Sequence, residues 1–101
     1  MSKKRICTYN QLDKLSGYTI VEETEDSLRL LWISVHEEER GHGVGSQLIA
    51  LVKEYARSKG LSAICGFVDT NPEGFVERKR FFEKHGRVFV QKGALVFDIS
   101  V

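Results

Sequence analysis

Seven residues, Arg40-Gly41-His42-Gly43-Val44-Gly45-Ser46, constrain this chain more than any other stretch. They stand between an apolar run ending at Ser34-Val35 and a helical pattern that starts at Val44. Three glycines on alternate positions let the backbone turn sharply and leave room for a ligand to approach it. A strand that enters a helix through such a loop leaves unpaired N–H groups at the positive end of the helix dipole. That is a phosphate-binding arrangement.

The spacing separates three kinds of glycine loop. A Walker loop requires Lys followed by Ser or Thr after its last glycine, whereas Gly45 is followed directly by Ser46 and Gln47. A dinucleotide fingerprint requires Gly-x-Gly-x-x-Gly, with an acidic residue closing the next strand. Neither feature is present, since that strand reads Leu61 to Val68. The third pattern, Gln/Arg-x-x-Gly-x-Gly/Ala, is filled by Arg40, Gly43 and Gly45, and it resembles the coenzyme-A loop of the GNAT family of N-acetyltransferases. The resemblance continues on both sides. Leu31-Trp32-Ile33-Ser34-Val35-His36 resembles the family's central strand, Val44 to Lys59 the following helix, and Leu61 to Val68 the next strand. Arg80-Phe81-Phe82-Glu83-Lys84-His85-Gly86 resembles the helix ending Phe-Tyr-Glu-Lys-x-Gly.

The remaining elements follow from local pattern. Gly17 to Glu23 is rich in β-formers, Thr24 to Ser27 is a polar turn, and Leu28 to Val35 is apolar enough for a strand covered on both faces. Val44, Leu48, Leu51, Val52, Tyr55 and Ala56 recur at helical spacing, and Lys59-Gly60 is a helix-ending pair. Asn71-Pro72-Glu73 predicts a cap and first turn for a second helix ending near His85-Gly86. Arg87 to Gln91 and Ala94 to Ile99 form a closing hairpin around Lys92-Gly93. The fold class is α+β, a GNAT-like mixed sheet in the order β-β-α-β-α-β-β after a shortened N-terminal segment. Residues 1–101 make one domain.

That shortened segment, Lys3 to Ser16, is where the family usually carries a strand and two helices. It holds a short strand, Ile6 to Tyr9, and one helical turn at Gln11 to Leu15. Compact members of the family, including some carried by phages, resemble it. In them the acceptor protein, or a second subunit forming a homodimer, would complete the cleft.

Composition narrows the function classes. With 42% hydrophobic and 29% charged residues the chain is an ordinary folded domain, and a net charge of +1 gives no case for direct nucleic-acid binding. Met1 to Arg5 is a basic tip expected to be solvated. No apolar run could span a membrane and no secretory signal is evident, so a cytoplasmic location is expected. Cys7 and Cys65 lack metal-ligand spacing, no metal site is expected, and Cys65 falls in an apolar run that predicts burial.

The resemblance implies acetyl-CoA (coenzyme A) as cofactor and direct attack by an acceptor amine in a ternary complex. Backbone N–H groups of Arg40, Gly41, His42, Gly43, Val44 and Gly45, with the Ser46 hydroxyl, would hold the pyrophosphate. The backbone of Ile33, Ser34 and Val35 would pair with the pantetheine arm. His36 and Glu37, just past the strand, are the candidate bases, with Glu38, Glu39 and Asp69 behind them. Phe82 stands where the family carries its proton-donating Tyr; it packs on the pantetheine end or in the core, leaving water or Tyr9, Tyr18 or Tyr55 as other donors. Acetyl transfer to a protein lysine or N-terminus is the first reading. The alternative is a non-catalytic acetyl-CoA-binding module acting through a protein partner.

Overall fold

The computed structural model describes residues 3–101. Its elements are β1 (Lys3–Tyr9), β2 (Leu15–Glu23), β3 (Leu28–Val35), α1 (Val44–Ser58), β4 (Ala63–Phe67), α2 (Phe75–His85), β5 (Arg87–Gln91) and β6 (Ala94–Ser100). A short 3-10 turn, Glu37–Glu39, lies between β3 and α1. The strands form one sheet in the order β1-β2-β3-β4-β6-β5, antiparallel except between β3 and β4. This is the expected α+β architecture, with the glycine loop leading into α1.

The apolar pattern explains why both helices lie on one side. Val21, Leu28, Leu30, Ile64, Phe97 and Ile99 share one face of the sheet, and they form a single buried cluster with Ile49, Val52 and Ala56 of α1 and Phe82 of α2. Phe82 stacks on Phe97 with ring centroids 4.0 Å apart and planes 12° from parallel. Side chains alternate along a strand, so the partners of these residues project from the opposite face. There Tyr18, Ile20, Trp32, Phe67 and Val96 have no helix above them, and Trp32 and Phe67 are 55% and 66% exposed.

Several local expectations are corrected. β3 is not covered on both faces: Leu28 and Leu30 are buried while Arg29, Leu31 and Trp32 are exposed. The continuous apolar run therefore marks an uncovered face rather than a second layer. Cys65 is only half-buried for the same reason, since its neighbours Ile64 and Gly66 take the helix side. Cys7 and Cys65 are both free. Two strands separate β1 from β4, a gap of roughly 14 Å that no disulfide spans.

The described part of the basic tip is solvated, as expected, but it is also part of a strand. Met1 and Ser2 lie outside the described residues, but Lys3, Lys4 and Arg5 pair with Glu22, Val21 and Ile20 as the start of an edge strand. No helical turn forms at Gln11 to Leu15. Asn10 organises a tight turn instead, its Oδ1 accepting from the N–H groups of Leu12 at 2.8 Å and Lys14 at 3.1 Å. Asp13 takes a left-handed φ of 60° there. A side chain that bonds its own downstream backbone competes with helix in this way. The second helix begins at Phe75, not at Asn71-Pro72-Glu73, because those residues are held in a loop whose anchor is described below. Among the described residues, no helix is long and apolar enough to cross a membrane.

Candidate functional site

The site is a gap in the middle of the sheet. β3 and β4 pair only at Leu28↔Ile64 and Arg29↔Cys65 and then separate. One cause lies on β3: its register with β2 jumps from Leu30↔Val21 to Trp32↔Ile20, leaving Leu31 as a bulge. A bulge adds twist and bends the strand away from its partner. On β4, Gly66 marks the point up to which the strands stay close, since a Cβ there would sit 2.7 Å from both the Leu30 carbonyl and the Phe97 ring. Only glycine lets that backbone come so close, and the ring then fills the fork.

The resulting cleft has a volume of about 210 Å³. Phe82 and Phe97 line it from the helix side, Trp32 and Phe67 from the uncovered side, and Leu30, Leu31 and Ile33 form the β3 wall. Beyond Arg29, the backbone groups of β3 that face β4 have no strand partner among the described residues. They are free to bond an extended ligand as another strand would.

Asp69 and Arg78 close one end of the cleft. The Arg78 guanidinium donates to three carbonyls, of Asn71 at 2.7 Å, Asp69 at 2.9 Å and Glu73 at 3.2 Å. This fork holds residues 69–74 as a loop and delays α2 to Phe75. Asn71, read from sequence as a helix cap, instead accepts from the Glu73 N–H at 3.1 Å within that loop. Replacing Arg78 by Ala is expected to cost about 1–2 kcal/mol, the net worth of these exposed bonds, lowering the melting temperature by roughly 5–10 °C. Thermal unfolding checks this, with Arg78→Lys recovering little because an ammonium lacks the planar fork.

The glycine loop lies on the helix side, at the N-terminus of α1. Gly41 and Gly43 have φ of 82° and 78°, and added Cβ atoms would meet nothing within 4 Å. Their glycine character thus serves backbone conformation beside open space. The first helical bond runs from the Gln47 N–H to the Gly43 carbonyl at 3.0 Å, so the N–H groups of Val44, Gly45 and Ser46 precede the ladder. Gly45 also has a packing role, because its Cβ would lie 2.8 Å from the Phe81 ring of α2. Arg40 is exposed and donates from Nε to the Val35 carbonyl at 3.4 Å, tying the loop to the end of β3. Open space, left-handed glycines and unpaired N–H groups fit a polyphosphate group.

The structure divides the remaining candidates. Ile33 lines the cleft; Ser34 and Val35 continue β3 past it. His36 and Glu37 are exposed and line neither the cleft nor the groove described next. His36 extends the β2–β3 pairing through its N–H to the Ser16 carbonyl, at 2.8 Å. Glu39 accepts from Asn10 Nδ2 at 2.9 Å and, with His42, Tyr9 and Gln47, borders a separate polar groove of about 470 Å³. That groove lies on the β1–β2 turn side of the loop.

None of the tyrosines reaches the cleft. Tyr55 donates to Glu23 at 3.0 Å, and burial, with the nearby Glu23 carboxylate, raises its pKa further. Tyr18 lies under the Arg5 guanidinium, 4.5 Å from ring centroid to Cζ. Sequence reasoning missed Trp32, Phe67, Arg78 and Phe97 as cleft residues. For Phe67 the signal was strand alternation, which sets it opposite Gly66; Trp32 is two residues from Leu30 and reaches the other face only through the Leu31 bulge, which no sequence pattern announces.

The sequence profile of the Acetyltransferase (GNAT) domain matches residues 3–86. No curated protein matches the chain by sequence. Among solved structures, nourseothricin acetyltransferase is similar over 97% of this chain and 65% of its own, at 23% identity and a TM-score of 0.73. PaiA N-acetyltransferase of Thermoplasma acidophilum in complex with coenzyme A covers 100% of this chain and 62% of its own, at 14% identity and a TM-score of 0.79. A Bacillus anthracis protein assigned as a streptothricin acetyltransferase, in complex with acetyl coenzyme A, covers 100% and 64%, at 19% identity and a TM-score of 0.83. At these identities the likeness is one of fold, and the chain spans less than two thirds of each of these three neighbours.

Proposed function

The chain belongs to the GNAT acetyltransferase family, and from that membership we propose that it moves acetyl from acetyl-CoA to an amine, on a protein lysine or N-terminus. The observation that supports this reading is the β3–β4 cleft, where the β3 backbone beyond Arg29 lacks a strand partner in the same sheet whose β3 leads through the glycine loop into α1. Coenzyme-A complexes among the similar structures support the choice of cofactor. When bound, acetyl-CoA supplies an acyl group already activated as a thioester.

The loop from Arg40 to Ser46 binds the pyrophosphate through backbone N–H groups at the positive end of α1. The β3 backbone groups that face the fork, from the Leu31 bulge to Val35, would pair with the pantetheine arm and would supply N–H donors for the acyl oxygen. Phe82 and Phe97 exclude water from the helix side of the cleft. The acceptor amine enters from the other face, between Trp32 and Phe67. Both walls there are aromatic and exposed, which suits the apolar arm of a lysine, and no helix stands in the way of a protein surface. Asp69, at the cleft end, is placed to hold the incoming ammonium. His36 and Glu37 lie outside and take its proton through water. The acceptor protein or a second copy of the chain covers the open face, and the setting is the cytoplasm, where acetyl-CoA is available.

The test pairs thermal unfolding in acetyl-CoA, coenzyme A, ATP and NAD with thiol release in the presence of lysine peptides. At about a hundred times its dissociation constant a ligand adds roughly 2.7 kcal/mol, several degrees for this chain. A shift with the coenzyme-A compounds alone, and thiol release that needs an amine, are the expected results. A shift without thiol release would favour the binding-module alternative. No shift at all would remove both readings.

Phe82 adds a second check. Its ring lines the cleft but donates no proton. Phe82→Tyr is expected to raise kcat about tenfold, with KM little changed, by placing a hydroxyl where the leaving thiolate needs one. Steady-state kinetics of the variant would measure it, and an unchanged kcat would mean that water already serves.

A further inference from the structure

Ser46 lies in the first turn of α1, and its Oγ is 3.1 Å from Nε2 of His85 in the last turn of α2. The contact is built into the packing rather than a chance meeting of surface groups. The half-buried imidazole lies 4.9 Å from the Phe81 ring, tilted 60° to it. Phe81 in turn occupies the space that a side chain at Gly45 would need. Hydroxyl, imidazole and the start of α1 therefore form one packed unit.

A serine hydroxyl owns a single hydrogen. If Nε2 is bare, that hydrogen is spent on His85 and Ser46 turns lone pairs toward the loop, where they repel a phosphate. If Nε2 carries a proton, His85 donates, Ser46 accepts, and the hydroxyl hydrogen is left for the ligand. We propose that His85 is the positioning residue of the phosphate loop: by donating from Nε2 to Ser46 Oγ, it turns the Ser46 hydroxyl onto the pyrophosphate of coenzyme A. The proposal rests on the cofactor reading above. It assigns His85 a role beyond its placement at the α2 C-terminus, where a cation favours the helix dipole.

The neutral Nε2–H tautomer or the imidazolium supplies that hydrogen, and a bound polyphosphate favours the imidazolium, so proton uptake at His85 is expected on binding. The charged groups facing the imidazole are Lys84 beside it on α2 and Lys53 on α1, two helical turns from Ser46. Burial first, then these two cations, hold His85 below the usual histidine range in the free protein. A polyphosphate against Ser46 brings negative charge to the same place and favours the imidazolium. With the pKa higher in the complex than in the free chain, affinity is greatest below the free value. It falls as pH rises through the complexed value.

Calorimetric titration of the full chain with coenzyme A tests this, run across roughly pH 5 to 8 in buffers of different ionisation enthalpy. The expected results are proton uptake near neutrality and affinity that falls several-fold as pH rises. His85→Gln keeps an uncharged N–H donor; it is expected to bind within a few-fold of the parent at the high end, without proton uptake. His85→Leu, checked for folding by its own melt, is expected to lose about tenfold in affinity. Dephospho-coenzyme A should show the same proton linkage, since the pyrophosphate is the partner. Coenzyme-A binding without proton uptake would overturn the imidazolium as the donor, a leucine variant as tight as the parent would overturn the role of His85, and either result leaves the cofactor reading intact. Linkage lost with dephospho-coenzyme A would move the contact to the 3′-phosphate and overturn the assignment. Failure of the parent chain to bind coenzyme A at any pH would remove the cofactor reading itself.

Discussion

Gly43→Glu is expected to abolish coenzyme-A binding while leaving the chain folded. Gly43 has a φ of 78°, and the space around its missing Cβ is open. A side chain there clashes with nothing and costs the fold only the left-handed conformation, about 1–2 kcal/mol. The carboxylate has a larger effect on the ligand. Tethered at the start of α1, it competes for the N–H groups of Val44, Gly45 and Ser46 and repels the pyrophosphate. Two charges about 5 Å apart at an effective dielectric of about 20 interact by roughly 3 kcal/mol, more than a hundredfold in affinity. Gly43→Ala carries the backbone cost without the charge, and about a tenfold loss is expected of it. Titration calorimetry with coenzyme A, beside a melt of each free variant, separates the two contributions. A glutamate variant that binds as the parent does would mean that no phosphate occupies this loop.

Gly86→Ala is expected to be the most destabilising single-methyl change at a glycine of this chain. The reason is proximity, not dihedral preference: the φ of Gly86 is −171°, extended backbone open to any residue. An added Cβ would press into the Asp98 carbonyl oxygen and lie 3.0 Å from both the Asp98 carbonyl carbon and the Ile99 Cα. All of these are backbone atoms of β6, so no side chain can swing aside. The helix end would have to lift from the strand. That strains the Phe82–Phe97 stack on one side and the Arg87–Asp98 ion pair, at 2.6 Å, on the other. Overpacking of this kind costs about 3 kcal/mol, or roughly 15 °C in melting temperature for a chain of this size. Gly93→Ala is the comparison: nothing lies within 4 Å there, so its smaller loss, about 1–2 kcal/mol, comes from the left-handed φ of 80° alone. A Gly86→Ala melt within a degree or two of the parent would mean that the helix–strand junction yields freely.

Gly86 illustrates which parts of this fold could be read from sequence. Its place at the end of a helix was legible from Glu83-Lys84-His85-Gly86. Its closeness to Asp98 was not, because the residues are brought together by the β5–β6 hairpin and not by local pattern. Elements with a strong local signature came through: the glycine loop, the α1 stripe ending at Lys59-Gly60, and the closing hairpin, where Lys92 and Gly93 both take positive φ. Failures occurred where a side chain overrode local preference. Asn10 bonds its own backbone and replaces a helical turn, and Arg78 gathers three carbonyls and delays α2. The apolar run of β3 was misjudged differently. Covered and uncovered apolar faces look alike in a sequence, and it takes both the Leu31 bulge and the placement of α1 and α2 on one side to distinguish Leu30 from Trp32. The cleft inherits that ambiguity, since its outer wall is made of the residues expected to be buried.

Among the described residues, two register pairs, Leu28↔Ile64 and Arg29↔Cys65, are all that join the two halves of the sheet by strand pairing. On one side lie β1, β2 and β3; on the other, β4, β6 and β5. Such a seam leaves the two halves without a continuous ladder of backbone hydrogen bonds between them. Their restraint comes from the shared apolar cluster beneath α1 and α2, which resists separation but tolerates small rotations better than a continuous ladder would. A ligand arm laid along β3 within the fork would supply the missing rungs. In mechanical terms the cofactor would then be a structural member of the sheet, and releasing it would hand the protein back its freedom to flex.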